Sequence, residues 1–195
     1  MSARRFCFCF VLARSKTGGL TPAARHRRLD EIRVQKSVMD GLLAHSTILV
    51  IGDLFSPEMQ SVERRTEELG QLGGDIRVFR IVGEAVAQFS SDGSQPDLVI
   101  VCQHWPDEYT TTNVRDLLTA FPLARLVCCY GPWCASDGRT RDVWPLSTRV
   151  PAESAARRID LELEVLAGTR WPLPLTASRD EIFLFDPDMP IETSA

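Results

Sequence analysis

From Ser46 onward the chain alternates short continuous apolar runs with segments of helical apolar spacing, and that alternation restricts its fold more than any other feature. A run such as Thr47-Ile48-Leu49-Val50-Ile51 has no polar residue at every second position, so a strand made from it must be covered on both faces, as in a parallel sheet. Ser56-Pro57 reads as a helix N-cap and first helical residue, with Met59, Val62, Leu69 and Leu72 on one stripe and Gly73-Gly74 as the stop. Ile76–Val82 predicts a second strand, Glu84–Phe89 a short helix ended by Ser90-Ser91-Asp92-Gly93, and Asp97–Cys102 a third strand. Thr112 or Asn113 can cap the next helix, in which Val114, Leu117, Leu118 and Phe121 share a face before Pro122. Leu126–Tyr130 predicts a fourth strand, and residues 131–142 read as loop where a helix would complete the alternation. A fifth strand is expected between Val143 and Val150, at an edge because of Pro145. The last helix is expected over Ala152–Ala167, burying Ala156, Ile159, Leu163 and Leu166 and stopping at Gly168. Such alternation implies a parallel sheet with right-handed crossovers and helices on both faces, whose ligands sit at the carboxyl ends of the strands.

Composition narrows the function classes. The chain of 195 residues is 44% hydrophobic, which suffices for one full core. No window approaches the roughly 20 apolar residues needed to span a bilayer, so no membrane association is expected. The apolar run Phe6–Ala13 after Arg4 and Arg5 has the charge order of a secretory signal, but it is short and lacks a small-x-small cleavage site. Six cysteines (Cys7, Cys9, Cys102, Cys128, Cys129, Cys134) are neither dense nor regularly spaced. The adjacent pair lies inside an apolar run, which reads as reduced thiols packed in a cytoplasmic core rather than a secreted disulfide scaffold.

Charge divides the chain. Residues 1–44 hold nine Lys/Arg against three Asp/Glu, so they carry +6 and leave −10 of the total −4 to residues 45–195. Both lysines, Lys16 and Lys36, lie in this first segment. It mixes basic residues with Gly18, Gly19 and Pro22 and has no sustained apolar period, so a disordered extension is expected. A start at Met39 is another reading, and Ala23–Leu43 has the spacing of a marginal helix. A nucleic-acid arm would need its charge on one face of a folded element, so no nucleic-acid partner is expected. The organisation expected is therefore an extension over 1–44, one domain over 45–168, and a Pro-rich linker and tail over 169–195. In the tail Ser178–Glu181 has capping-box spacing.

The order Ile48-Leu49-Val50-Ile51-Gly52-Asp53 followed by a helix resembles the opening strand of response-regulator receiver domains. Gly83-Glu84-Ala85-Val86 resembles their second helix. Pro96-Asp97-Leu98-Val99-Ile100-Val101-Cys102-Gln103-His104-Trp105-Pro106 is similar to their third strand and the proline turn after it. The likeness covers residues 46–167 and is closest through Tyr130. It implies a three-layer, doubly wound, five-stranded parallel α/β sheet of flavodoxin-like, receiver-type order 2-1-3-4-5, with the fourth helix replaced by loop.

The resemblance also implies a site, which this chain departs from. Receivers place a carboxylate at the end of the third strand, where Cys102 stands; a thiol cannot form the acyl phosphate. Their paired acids after the first strand correspond to Gly52 and Asp53, and a single carboxylate is a poor site for Mg²⁺. Their lysine after the fifth strand corresponds to Arg149, which keeps the charge without the compact ammonium. Their switch hydroxyl corresponds to Tyr130 or Gly131. Only Asp53 keeps the family's residue. The expectation is a non-phosphorylatable receiver that binds rather than catalyses, needs no cofactor or metal, and acts in signalling through a protein partner the sequence does not specify. In the family the face around the fourth helix carries output. Here Trp133, Cys134, Asp137, Gly138, Arg139, Arg141 and Trp144 occupy that stretch. Trp133, Arg139, Arg141 and Trp144 form the candidate interface, of residue types favoured at hot spots, and a homodimer through it is a further expectation. The alternative is that both tryptophans cover the sheet edge.

A metal- or thiol-dependent protein using Cys102, His104 and Cys134 is the rival reading. Its spacing, C-x-H and C-C-x4-C, is not a paired C-x-x-C, and strand alternation sends Cys128 and Cys129 to opposite faces. His104 otherwise reads as a solvated or capping side chain, and Asp53 as a helix cap or a partner for Arg149. The dinucleotide, P-loop, G-x-S-x-G and H-E-x-x-H signatures are absent.

Overall fold

The structure, a computed structural model, describes residues 41, 43, 45–135, 144 and 146–173. The predicted basic extension lies almost wholly outside these residues, as do Cys7, Cys9, Arg139, Arg141 and the capping-box segment at Ser178.

Five strands form one sheet: β1 (Thr47–Ile51), β2 (Asp75–Phe79), β3 (Leu98–Gln103), β4 (Arg125–Tyr130) and β5 (Thr148–Pro151). All pairings are parallel and the order is β2-β1-β3-β4-β5, the flavodoxin-like arrangement expected. Every residue of β3 is buried, as a central strand covered on both faces requires. Helices α1 (Gln60–Gln71), α2 (Val82–Asp92), α3 (Thr111–Ala120) and α4 (Ala155–Leu166) cover the sheet. Strand alternation divides the core into two layers. One joins Ile48, Val50, Ile100, Cys102 and Cys129 to Val62 and Leu69 of α1 and Ile159 and Leu163 of α4. The other joins Leu49, Ile51, Val101 and Cys128 to Phe89 of α2, Leu117 of α3 and Trp144. Cys128 and Cys129 thus do occupy opposite faces.

Several boundaries differ from the sequence reading for local reasons. β2 ends at Phe79 because Val82 opens α2, burying Val82, Ala85 and Phe89. That helix continues through Ser90-Ser91-Asp92, since Ser91 Oγ donates to the Gln88 carbonyl (2.8 Å) and Gln88 Nε2 to Asp92 Oδ1 (3.0 Å). Gly93, at φ +64°, then supplies the left-handed cap. Thr110 caps α3, not Thr112 or Asn113: its Oγ1 accepts the Asn113 N–H (3.2 Å) and Asn113 Oδ1 accepts the Thr110 N–H (3.1 Å). Leu72 is 46% exposed and off the α1 stripe, while Thr66 is buried on it with its hydroxyl on the Val62 carbonyl. Short 3₁₀ turns precede α1 (Pro57–Met59) and α4 (Ala152–Ser154), and another, Pro132–Cys134, follows β4 at the start of the segment read as loop.

The α4 face holds more than the predicted apolar stripe. Arg158 and Glu162 are both buried and paired at 2.5 Å, and Glu162 also accepts from Arg125 and from Thr148 Oγ1 (3.3 Å). Charges so far from water persist only with this degree of mutual hydrogen bonding.

Candidate functional site

Parallel register brings the carboxyl ends of β1 and β3 side by side, with Ile51 opposite Val101. Gly52 and Cys102 follow at those ends. Gly52 has φ +112°, which only glycine adopts without strain, and a β-carbon there would stand 2.6 Å from the Cys102 carbonyl oxygen and 2.7 Å from the Tyr109 hydroxyl. Tyr109, from the loop after β3, fills that space. Its hydroxyl donates to the Cys102 carbonyl (2.9 Å) and lies 3.4 Å from that of Ile51. Its ring packs edge-on against Trp144 with centroids 5.2 Å apart. Burial pushes the Tyr109 phenol far above its usual range, helped by the nearby Glu108, so it acts as a neutral donor.

Cys102 itself is fully buried in the α1/α4 layer. Burial drives its thiol far above its ordinary value, and Cys128, Glu108 and Asp53 add to the shift. Cys128 is pushed up to about 12, again mainly by burial, against the opposing pull of Arg149. These thiols are core side chains, since a reactive cysteine needs a depressed pKa and solvent access.

The remaining receiver positions do not converge on Cys102. Asp53 is exposed, and its carboxylate accepts the N–H of Phe55 (3.2 Å), closing a local turn. No ion pair joins it to Arg149 among the described residues. Arg149 pairs in register with Cys128, on the face opposite Cys102, and its guanidinium sits 5.1 Å from the Tyr130 ring centroid. Nor are the ligands of the rival reading assembled. The Cys134 thiol points to the Gln103 carbonyl at 3.8 Å, and both His104 ring nitrogens have other partners. No group of three His, Cys, Asp or Glu side chains arranged for a metal exists among the described residues.

His104 is not solvated: it is 2% exposed. Its Nε2 lies 2.9 Å from Ser56 Oγ and its Nδ1 3.1 Å from Glu108 Oε1. Ser56 stands at the predicted N-cap position, but its hydroxyl caps nothing. Tyr109, Glu108 and the Ser56–His104 contact were outside the sequence reading. The legible signal was His-x3-Glu in a loop after a strand, together with Ser-Pro after the neighbouring one.

Three exposed aromatics crown the same end of the sheet: Phe55 (71% exposed) after β1, Trp105 (57%) after β3 and Trp133 (74%) after β4. Those strands are adjacent. Of the candidate interface, Trp133 is therefore on the surface, whereas Trp144 is 2% exposed and its indole N–H donates to Gln103 Oε1 (3.2 Å). Trp144 belongs to the core, held by that bond and by Tyr109, and not to an interface.

No protein-family model matches the chain. No curated protein matches it either. Among solved structures it is similar to a response regulator receiver domain protein from Clostridium thermocellum, at 16% identity and a TM-score of 0.43, over 62% of this chain and 96% of that one. No helix among the described residues is long and apolar enough to cross a membrane.

Proposed function

We propose that this chain is a receiver-like signalling module that takes no phosphoryl group and works by binding a protein partner. The observation that carries the reading is the Tyr109 hydroxyl on the Cys102 carbonyl, in the space that Gly52 leaves open. An acyl phosphate requires a carboxylate with access to solvent, a divalent cation and room for three phosphoryl oxygens; here the corresponding side chain is a buried, neutral thiol. Of the positions matched to the receiver site, only Asp53 carries a carboxylate, too few oxygens for Mg²⁺.

The binding role rests on the aromatic crown. Large exposed aromatics grouped on adjacent loops are the residue type and the placement of interaction hot spots. Arg139 and Arg141, of the other favoured type, follow Trp133 in the sequence and lie outside the described residues; a second copy of the chain is one partner the aromatic crown could take. The experiment is affinity capture from native lysate with the full chain, set against a Trp105→Ala/Trp133→Ala variant of unchanged circular dichroism. Partners recovered by the parent and lost by the variant support the reading. An identical set from both removes it.

A further inference from the structure

We propose that Ser56, His104 and Glu108 form a nucleophile, base and orienting acid that cleave small uncharged or cationic esters held in the adjoining cleft. Ser56 Oγ lies 2.9 Å from His104 Nε2, and His104 Nδ1 lies 3.1 Å from Glu108 Oε1. Glu108 Oε2 also accepts the backbone N–H of His104 at 2.5 Å, so one carboxylate grips the residue at ring and main chain. A carboxylate only accepts, so Nδ1 carries the proton and Nε2 offers its lone pair to the serine hydroxyl. This is the hydrogen-bond chain that activates a serine.

The placement is not explained by local structure alone. A serine at a helix entry normally accepts a first-turn N–H. Ser56 has the extended backbone of an N-cap (φ −71°, ψ 148°), yet its hydroxyl turns to the imidazole. Breaks with a local rule of this kind concentrate at functional sites. His104 is 2% exposed while Ser56 is half-buried, so the base is held fixed and is approached from the surface along the serine's side.

A cleft of about 430 Å³ lies beside Ser56 and His104, which do not line it themselves; its walls include Glu58, Tyr130, Gly131, Pro132, Ala152 and Glu153. Glu58 is two residues beyond Ser56. Gly131 abuts His104: a β-carbon there would stand 3.7 Å from the His104 Cα. The walls are mainly apolar, and the charged lining residues, Glu58 and Glu153, are both acidic. An anionic substrate would be repelled.

In the first half-reaction Ser56 Oγ bonds to the ester carbonyl carbon as its proton passes to His104 Nε2. The ester C–O bond then breaks and the leaving alcohol takes that proton, which leaves acyl-Ser56. Water attacks the acyl carbon in the second half-reaction and gives a proton to Nε2. The bond to Ser56 Oγ breaks, the acid leaves, and the serine regains its proton. In the turn that follows Ser56, Pro57 has no N–H and that of Met59 donates to the Ser56 carbonyl (2.9 Å), so the Glu58 N–H is the first-turn donor left for the developing oxyanion.

The test uses the full chain with p-nitrophenyl butyrate as substrate and diisopropyl fluorophosphate as label. The expected result is turnover, with a diisopropylphosphoryl adduct that peptide mass spectrometry maps to Ser56. Ser56→Ala abolishes both. His104→Asn lowers kcat by about a hundredfold, with KM changed by less than about twofold. Mapping on the unmutated protein does not depend on any variant folding: an adduct on Ser56 supports the proposal, and no adduct, or one on another residue, overturns it. Turnover that survives Ser56→Ala also overturns it.

Discussion

The Tyr109 hydroxyl sits 2.9 Å from the carbonyl oxygen of Cys102, in a space that exists because residue 52 has no side chain. Replacing Gly52 by Ala puts a methyl group within 2.7 Å of both oxygens and forces an L-residue to φ +112°. We predict that Gly52→Ala costs about 2–4 kcal/mol, read as a lower urea midpoint at unchanged m-value.

Tyr109→Phe removes the hydroxyl and keeps the ring against Trp144. The loss expected is that of one neutral hydrogen bond, about 1 kcal/mol, with the near-ultraviolet tryptophan signal preserved. A loss as large as that of Gly52→Ala would mean that the hydroxyl does more than satisfy a carbonyl.

The buried thiols make a pH prediction with a definite sign. Cys128 has an ordinary value of 9.0 and is pushed up to about 12 in the folded chain, chiefly by burial. Below 9.0 it is neutral in both states and costs nothing. As pH rises from 9.0 toward 12 the unfolded chain ionises while the folded chain cannot, so stability is lost across that window. At constant temperature the urea midpoint should fall progressively above pH 9.0. Iodoacetamide at pH 8 should leave Cys102, Cys128, Cys129 and Cys134 unmodified in native protein and alkylate all four after denaturation, because only thiolates react and all four side chains are buried.

Glu162 is predicted to be worth more as a partner than as a charge. Glu162→Ala leaves Arg158 buried without its carboxylate and should cost about 3–5 kcal/mol. Arg158→Met/Glu162→Leu removes both charges and refills the space, so its urea midpoint should lie nearer the parent's than that of the single variant.

The sheet was legible because its strands are continuous apolar runs: Thr47–Ile51 appears in the structure with the ends read from sequence, and the strand order followed from a likeness to receivers. Helix ends were less legible where side chains overrode composition. Ser90-Ser91-Asp92 reads as a breaker, yet it is helical, with Ser91 Oγ donating to the Gln88 carbonyl and Gln88 Nε2 to Asp92. The site was half legible. Cys102 and Gly52 could be matched by position, but Tyr109 and Glu108 sit in a loop without periodicity, and what they reach is decided by the parallel register of β1 and β3. Trp144 was misplaced at the surface for the same reason: nothing in its neighbours along the chain announces the buried Gln103 amide that its indole needs.

The most direct test of the proposal that the chain takes no phosphoryl group is a titration of the full chain with beryllofluoride in the presence of Mg²⁺, followed by tryptophan fluorescence. Trp105 and Trp144 flank the relevant loops and would report occupancy. No saturable change is expected. A saturable, Mg²⁺-dependent response that Asp53→Asn removes would contradict the proposal.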